Sequence, residues 1–135
     1  MPAGYSGTPL AKKLALKDGM RVWFDNMPNG IRTEIEGYGL TLIEEDEPTK
    51  GLNAAHIFVT ECAALKKRLA TLRSLIDPAG QVWVSWPKKA SGMESEIAQN
   101  DVQQAGLPIG FVDTKKCAVN ETWSGLKFVI RKELR

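Results

Sequence analysis

Apolar and polar positions along this chain switch repeatedly between a period near two and a period near 3.6, the signature of alternating strands and helices. Thr8 and Pro9 predict a helix start, because threonine caps free N–H groups and proline is pre-set for the first turn. A short basic helix follows to about Leu16, and Lys17 to Gly19 turn the chain. Met20–Asp25 is rich in strand-favouring side chains and ends on Asp25 and Asn26. Pro28 opens a helical stretch with Ile31, Ile35 and Tyr38 on one side, stopped by Gly37 and Gly39. Leu40–Ile43 reads as a second, short strand, and the charge run from Glu44 to Glu47 as solvated loop.

The clearest unit spans residues 54–86. Ala55–Val59 is a strand, Thr60 a helix cap, and Cys62, Leu65, Leu69, Leu72 and Ile76 form an apolar helical stripe. Asp77–Gly80 has the composition of a type I turn. Gln81–Trp86 is a nearly continuous apolar strand, as expected where helices cover both sheet faces. Strand, helix and strand within this span make a βαβ unit with a right-handed crossover. Beyond it, Ser91 and Glu94 have the spacing of a capping box, which predicts a helix to about Ala105 with Met93, Ile97, Val102 and Ala105 inward. Two strands close the chain, about Phe111–Val119 and Leu126–Lys132. The short turn between them, Asn120–Gly125, makes that pair an antiparallel hairpin over residues 111–132.

The expected architecture is therefore α/β: a Rossmann-like three-layer sandwich with a mostly parallel sheet and an antiparallel C-terminal hairpin. With 135 residues, one domain covering 1–135 is expected. Eighteen basic against sixteen acidic side chains give a net charge of +2, too balanced to point to nucleic acid. The basic tail Lys127–Arg135 reads as a solvated edge strand. Met1–Leu10 lacks a charged segment followed by an apolar one, and no stretch is apolar for long enough to span a membrane. Two cysteines, Cys62 and Cys117, without an export signal fit a reducing cytoplasm. His56 is the single histidine and lies within an apolar strand, so it reads as structural. No short metal-ligand spacing is present.

In open parallel sheets ligands bind beyond the carboxyl ends of the strands. That rule gathers Asp25 and Asn26 from the first strand, Glu44 from the second and Thr60 with Glu61 from the third. The fourth delivers Trp86, Lys88, Lys89 and Ser91, and the hairpin turn adds Glu121, Thr122, Trp123 and Ser124. Lys88 and Lys89 precede the expected helix start at Ser91, a combination suited to phosphate or carboxylate. Trp86 and Trp123 are candidates to flank one opening and stack on a flat ligand. Dinucleotide and S-adenosylmethionine sites need closely spaced glycines after the first strand, so that backbone can approach the cofactor. Here residues 25–30 hold one glycine, Gly30, with Met27 and the donor-less Pro28 before it. Glu44 lies about 20 residues beyond Asp25, where a ribose-binding acid stands in such folds.

Three segments, Gly4–Leu14 (GYSGTPLAKKL), Trp86–Gly92 (WPKKASG) and Cys117–Leu126 (CAVNETWSGL), resemble signatures of small bacterial proteins grouped as a domain of unknown function. The resemblance implies a stand-alone cytoplasmic protein and brings no reaction with it. A looser similarity, carried by Leu16–Val22, Ile76–Val84 and the terminal hairpin, is to the S-adenosylmethionine methyltransferase fold, from which the chain departs at the glycine-poor turn. Three functions follow as expectations. The first is a methyltransferase-like binding or interaction module without a standard cofactor site. The second is a minimal methyltransferase, with S-adenosylmethionine as candidate cofactor and Asp25 or Glu44 serving it. The third is an enzyme binding a small anionic or nucleotide-like ligand at Lys88, Lys89 and Ser91. A homodimer through an edge strand or exposed helix is compatible with each.

Overall fold

The computed structural model describes residues 7–135. The first three residues of the Gly4–Leu14 segment, and residues 1–6 of the stretch read for an export signal, lie outside them. In chain order the elements are α1 (Leu10–Lys13), β1 (Arg21–Asp25), α2 (Asn29–Gly37), β2 (Ile43–Glu44), β3 (Leu52–Phe58), α3 (Cys62–Leu75), β4 (Ile76–Pro87), α4 (Gln99–Gly106), β5 (Phe111–Ala118) and β6 (Trp123–Ile130). The six strands form one sheet in the order β2-β1-β3-β4-β6-β5. β2, β1, β3 and β4 run parallel, while β6 is antiparallel to both β4 and β5. This is the mostly parallel sheet with an antiparallel terminal hairpin that the sequence predicts.

Alternation along the strands builds the layers. Trp23, Ile57, Val82, Val84 and Trp86 face one side and pack on Leu65, Leu69 and Leu72 of α3 and Val102 of α4. Val22, Ala54, Phe58, Trp83 and Trp123 face the other, against Leu10 and Leu14 of α1 and Ile31 and Ile35 of α2. Neighbours such as Val82, Trp83 and Val84 thus enter opposite cores, which is why β4 reads as unbroken hydrophobicity. The four-residue α1 is held from the sheet: the Leu14 carbonyl accepts hydrogen bonds from Gln81 Nε2 at 2.7 Å and Trp83 Nε1 at 3.0 Å. Ala15, at φ 56°, then leaves the helical region.

Several local expectations are corrected. Asp77–Gly80 is no chain reversal. It is a bulge inside β4, where two steps on β3 from Leu52 to Ala54 face five from Ile76 to Gln81, with Ala79 N–H donating to Asp77 Oδ1. No helix begins at Ser91. That residue closes a single 3-10 turn, Lys89–Ser91, its hydroxyl donates to the Lys88 carbonyl and accepts from Met93 N–H, and Gly92 at φ 76° breaks the path. Helix α4 starts eight positions later, with Asp101 Oδ2 accepting from Ala98 N–H. Met93 is consequently exposed, not inward, and Tyr38, at the end of α2, is exposed where Ile31 and Ile35 are buried. The second strand is only Ile43–Glu44, later than the expected Leu40–Ile43. The basic tail is not the edge either: β6 lies between β4 and β5, and β5 is the outer strand.

Candidate functional site

The registers place the carboxyl ends of β1 to β4 and the start of β6 along one rim. Asp25 pairs with Ile57, Ile57 with Val84, and Pro87 with Trp123. Asp25, Asn26, Glu44, Thr60, Trp86, Lys88, Lys89, Ser91, Glu121 and Trp123 therefore all lie at this end of the sheet. They are strung out along it. From β2 to β6 is four strand spacings, roughly 19 Å at about 4.8 Å each. Trp86 and Trp123 do not flank one opening. Trp86 belongs to the α3 and α4 core and Trp123 to the α1 and α2 core, and they are 5% and 8% exposed. Trp123 packs in a T-shaped contact with Phe58, ring centroids 5.1 Å apart.

The strand order reverses between β1 and β3, because β2 lies on one side of β1 and β3 on the other. In this class of fold, ligands enter the crevice at that reversal. Here Asp25 from the end of β1 binds Arg68 Nε of α3 at 2.8 Å, and the Asp25 side chain is only 14% exposed. Arg68 also lies over Trp23, 6.0 Å from its centroid. Asn26 follows at φ 56°, Met27 packs on the α2-side core, and α2 opens on Pro28 with no side-chain cap. The opening thus presents a proline-interrupted backbone and a carboxylate already held by a cation.

The third and fourth strand ends are covered by the loop before α4. Glu96 N–H donates to the Thr60 carbonyl at 2.9 Å, and Glu96 Oε1 accepts from Cys62 N–H at 2.8 Å, capping α3 from 34 positions away. Thr60, Glu61, Glu94, Ser95 and Glu96 line a shallow acidic cleft of about 410 Å³ there. Thr60 contributes its carbonyl, not the expected helix cap. Lys88 is fixed by its own N–H to the Thr122 carbonyl, and Thr122 and Trp123 N–H both donate to Asn120 Oδ1. Without a helix beginning at Ser91, the anion site expected at Lys88 and Lys89 loses the dipole end that motivated it.

A further cavity, not evident from the sequence, lies between α2 and the β1–β2 end of the sheet. It measures about 160 Å³, with Phe24, Ile35, Leu40 and Leu42 as apolar walls and Arg32, Glu36 and Glu44 as polar ones. Arg32 grips Glu44 with two hydrogen bonds, 2.6 and 2.8 Å, and lies over the Phe24 ring at 5.6 Å. Hydrogen bonding to Glu44 is the main cause holding the Arg32 pKa above its ordinary value. Of the residues singled out in advance only Glu44 belongs here. The available signal was Leu40 and Leu42, alternating just ahead of a run of acids.

His56 is buried at the centre of the sheet, stacked on Phe58 at 4.3 Å with Nε2 2.7 Å from Ser85 Oγ. Nδ1 has no hydrogen-bond partner, so the tautomer with hydrogen on Nε2 is favoured, leaving only an acceptor unmatched. Burial lowers its pKa to about 3, so the ring is neutral at physiological pH. Burial likewise raises the Cys117 pKa against the opposing pull of Lys13 and Lys115, which keeps a half-buried thiol protonated. Among the described residues no helix is long and apolar enough to cross a membrane.

Comparison with known proteins gives a family and a fold. A family model described as Protein of unknown function (DUF3052) matches residues 11–132. No curated protein matches the sequence. Among solved structures, the chain is similar to a protein assigned to the type 11 methyltransferases from Sulfolobus solfataricus, at TM-score 0.63 and 11% identity, over 91% of this chain and 90% of that one. Magnesium protoporphyrin IX methyltransferase from Synechocystis, solved with bound S-adenosylmethionine, gives TM-score 0.58 and 10% identity over 90% and 74%. Fibrillarin from Aeropyrum pernix, holding natively bound S-adenosyl-L-methionine, gives 0.54 and 10% over 93% and 70%. At these identities the likeness is one of fold: the sandwich is methyltransferase-like.

Proposed function

The chain belongs to this family of proteins of unknown function, DUF3052, which assigns it no reaction, and we propose that it is a non-catalytic binding module on a methyltransferase fold. The observation that carries this reading is the Asp25–Arg68 ion pair at the strand-order reversal. A nucleoside cofactor needs that crevice for its body, main-chain N–H groups beside its charged end, and a free acid for its ribose. The ion pair occupies the first, Pro28 removes an N–H from the second, and Glu44, placed for the third, is bound on both oxygens by Arg32. Releasing the pairs forfeits up to about 1 kcal/mol each, set against a site with no glycine-rich approach. The residues present do not fit S-adenosylmethionine bound in the usual manner.

Calorimetry with S-adenosylmethionine and S-adenosylhomocysteine tests the reading. The expected result is no saturable heat at millimolar ligand; saturable micromolar binding overturns it. The minimal methyltransferase remains the second reading, favoured by the fold of the two neighbours solved with that cofactor and by the position of Glu44. Micromolar binding abolished by Glu44→Ala would establish it instead.

A further inference from the structure

The sheet stops one strand early at the β2 end. In the doubly wound arrangement a third strand lies beyond the second, in order 3-2-1-4. Here the chain leaves β2 and returns directly to β3 on the far side of β1, so that β2 is the margin. Apolar side chains nonetheless lie at this margin and just before it. Ile43, 52% exposed, is apolar on the Arg21 side of the sheet, while Leu40 and Leu42 line the cavity beneath α2. Ile43 and Glu45 N–H donate to the Met20 and Val22 carbonyls. The intervening Glu44 N–H therefore points away from β1, toward the open margin. A cavity of about 160 Å³ matches the apolar spaces, about 150 Å³, that take up one benzene-sized group. Carboxylates outnumber cations here: Arg32 faces both Glu44 and Glu36, Arg21 pairs with Glu45, and Asp46 and Glu47 follow directly in the chain.

We infer that the β2 margin docks an extended segment of a partner protein, basic and apolar in alternation, which joins the sheet as the strand beyond β2 and seats one large apolar side chain in the cavity beneath α2. Strand addition draws its affinity from main-chain hydrogen bonds and its selectivity from such pockets. Charge complementarity fixes the partner's sign, since lysine or arginine on the incoming strand faces the surplus carboxylates. The inference rests on the non-catalytic reading, which leaves this margin and not the switch-point crevice as the binding surface.

The test is fluorescence anisotropy with short labelled peptides alternating lysine with valine, leucine or phenylalanine, beside the same peptides with glutamate for lysine. Saturable micromolar binding of the lysine set alone is expected. Glu44→Pro, which removes the outward N–H, should weaken binding by about tenfold or more beyond whatever loss Glu44→Ala, which keeps that N–H, shows by itself. Ile43→Lys, changed only at an exposed side chain, should also reduce binding and serves if the proline variant unfolds. Failure of every lysine peptide to bind, binding of both sets alike, or equal affinity for all variants overturns the docking site alone. Saturable binding of S-adenosylmethionine, measured separately, overturns the reading beneath it.

Discussion

The two margins of the sheet answer the same problem differently. β5 presents Thr114, Lys115 and Lys116 to solvent and carries a register irregularity between Asp113 and Lys115. Charged side chains and a bulge are devices that prevent a strand from recruiting another. β2, two residues long, instead leaves an isoleucine exposed and the Glu44 N–H turned outward. The contrast extends inward. Around β3, β4 and β6 almost every side chain is buried, down to a neutral histidine, whereas β2 and the residue after it are held to α2 and β1 by ion pairs about one-third exposed, beside a cavity. One side is built to be shut; the other keeps surface of the kind that interiors are made from.

If that division is right, disturbing the closed side should unfold the protein, and disturbing the β2 side should not. The largest effect should come from acid. The unfolded chain binds a proton on His56 near pH 6.5 and the folded one only near pH 3, so stability is fully present above 6.5 and falls as pH drops toward 3. Ser85, Phe58 and Trp83 surround the ring and offer no compensating charge. Urea titrations at stepped pH should show several kcal/mol lost by pH 4, and His56→Gln should flatten that slope; an unchanged slope would mean that other groups set the acid limit. Next comes Gly106→Ala, whose new Cβ would lie 2.5 Å from Phe128 Cζ. Phe128 is fully buried and stacked on Phe111 at 5.5 Å, so it cannot yield, and about 1–3 kcal/mol should be lost in the same titration.

Smaller still is Arg68→Ala. It removes the partner of a mostly buried Asp25 and should cost about 1 kcal/mol without conferring cofactor binding, as read by thermal unfolding beside calorimetry. Conferred binding of S-adenosylmethionine would show that the ion pair alone closes the crevice. The smallest is Arg32→Ala, breaking a pair whose side chains are both about one-third exposed. The loss should stay below about 0.5 kcal/mol and shrink further in high salt. A larger loss would mean that the cavity beneath α2 is part of the core and no docking pocket.

The architecture was legible because it is carried by periodicity. The stripe at Leu65, Leu69 and Leu72 and the continuous run of β4 leave few ways to be packed, and the short turn after β5 forces antiparallel pairing. What failed were inferences resting on four or five residues. Ser91 and Glu94 have the right spacing for a capping box, yet Ser91 bonds within its own turn and neighbouring Glu96 is captured by Cys62 N–H, which local sequence cannot reveal. The same holds for Arg68, 43 positions from Asp25. Trp86 and Trp123 lie at one rim, and only the packing of the whole sheet shows that they point through opposite faces. Much of the candidate chemistry proved to be already engaged in holding the fold.

The grip on Leu14 reaches into the order of events during synthesis. Its two hydrogen-bond donors lie 67 and 69 residues downstream. At roughly 5–20 residues per second, the N-terminal helix leaves the ribosome about 3–14 s before the strand that holds it. A four-residue helix has no stability of its own. This helix therefore becomes ordered only after β4 has been made, a latch that shuts once the middle of the sheet exists.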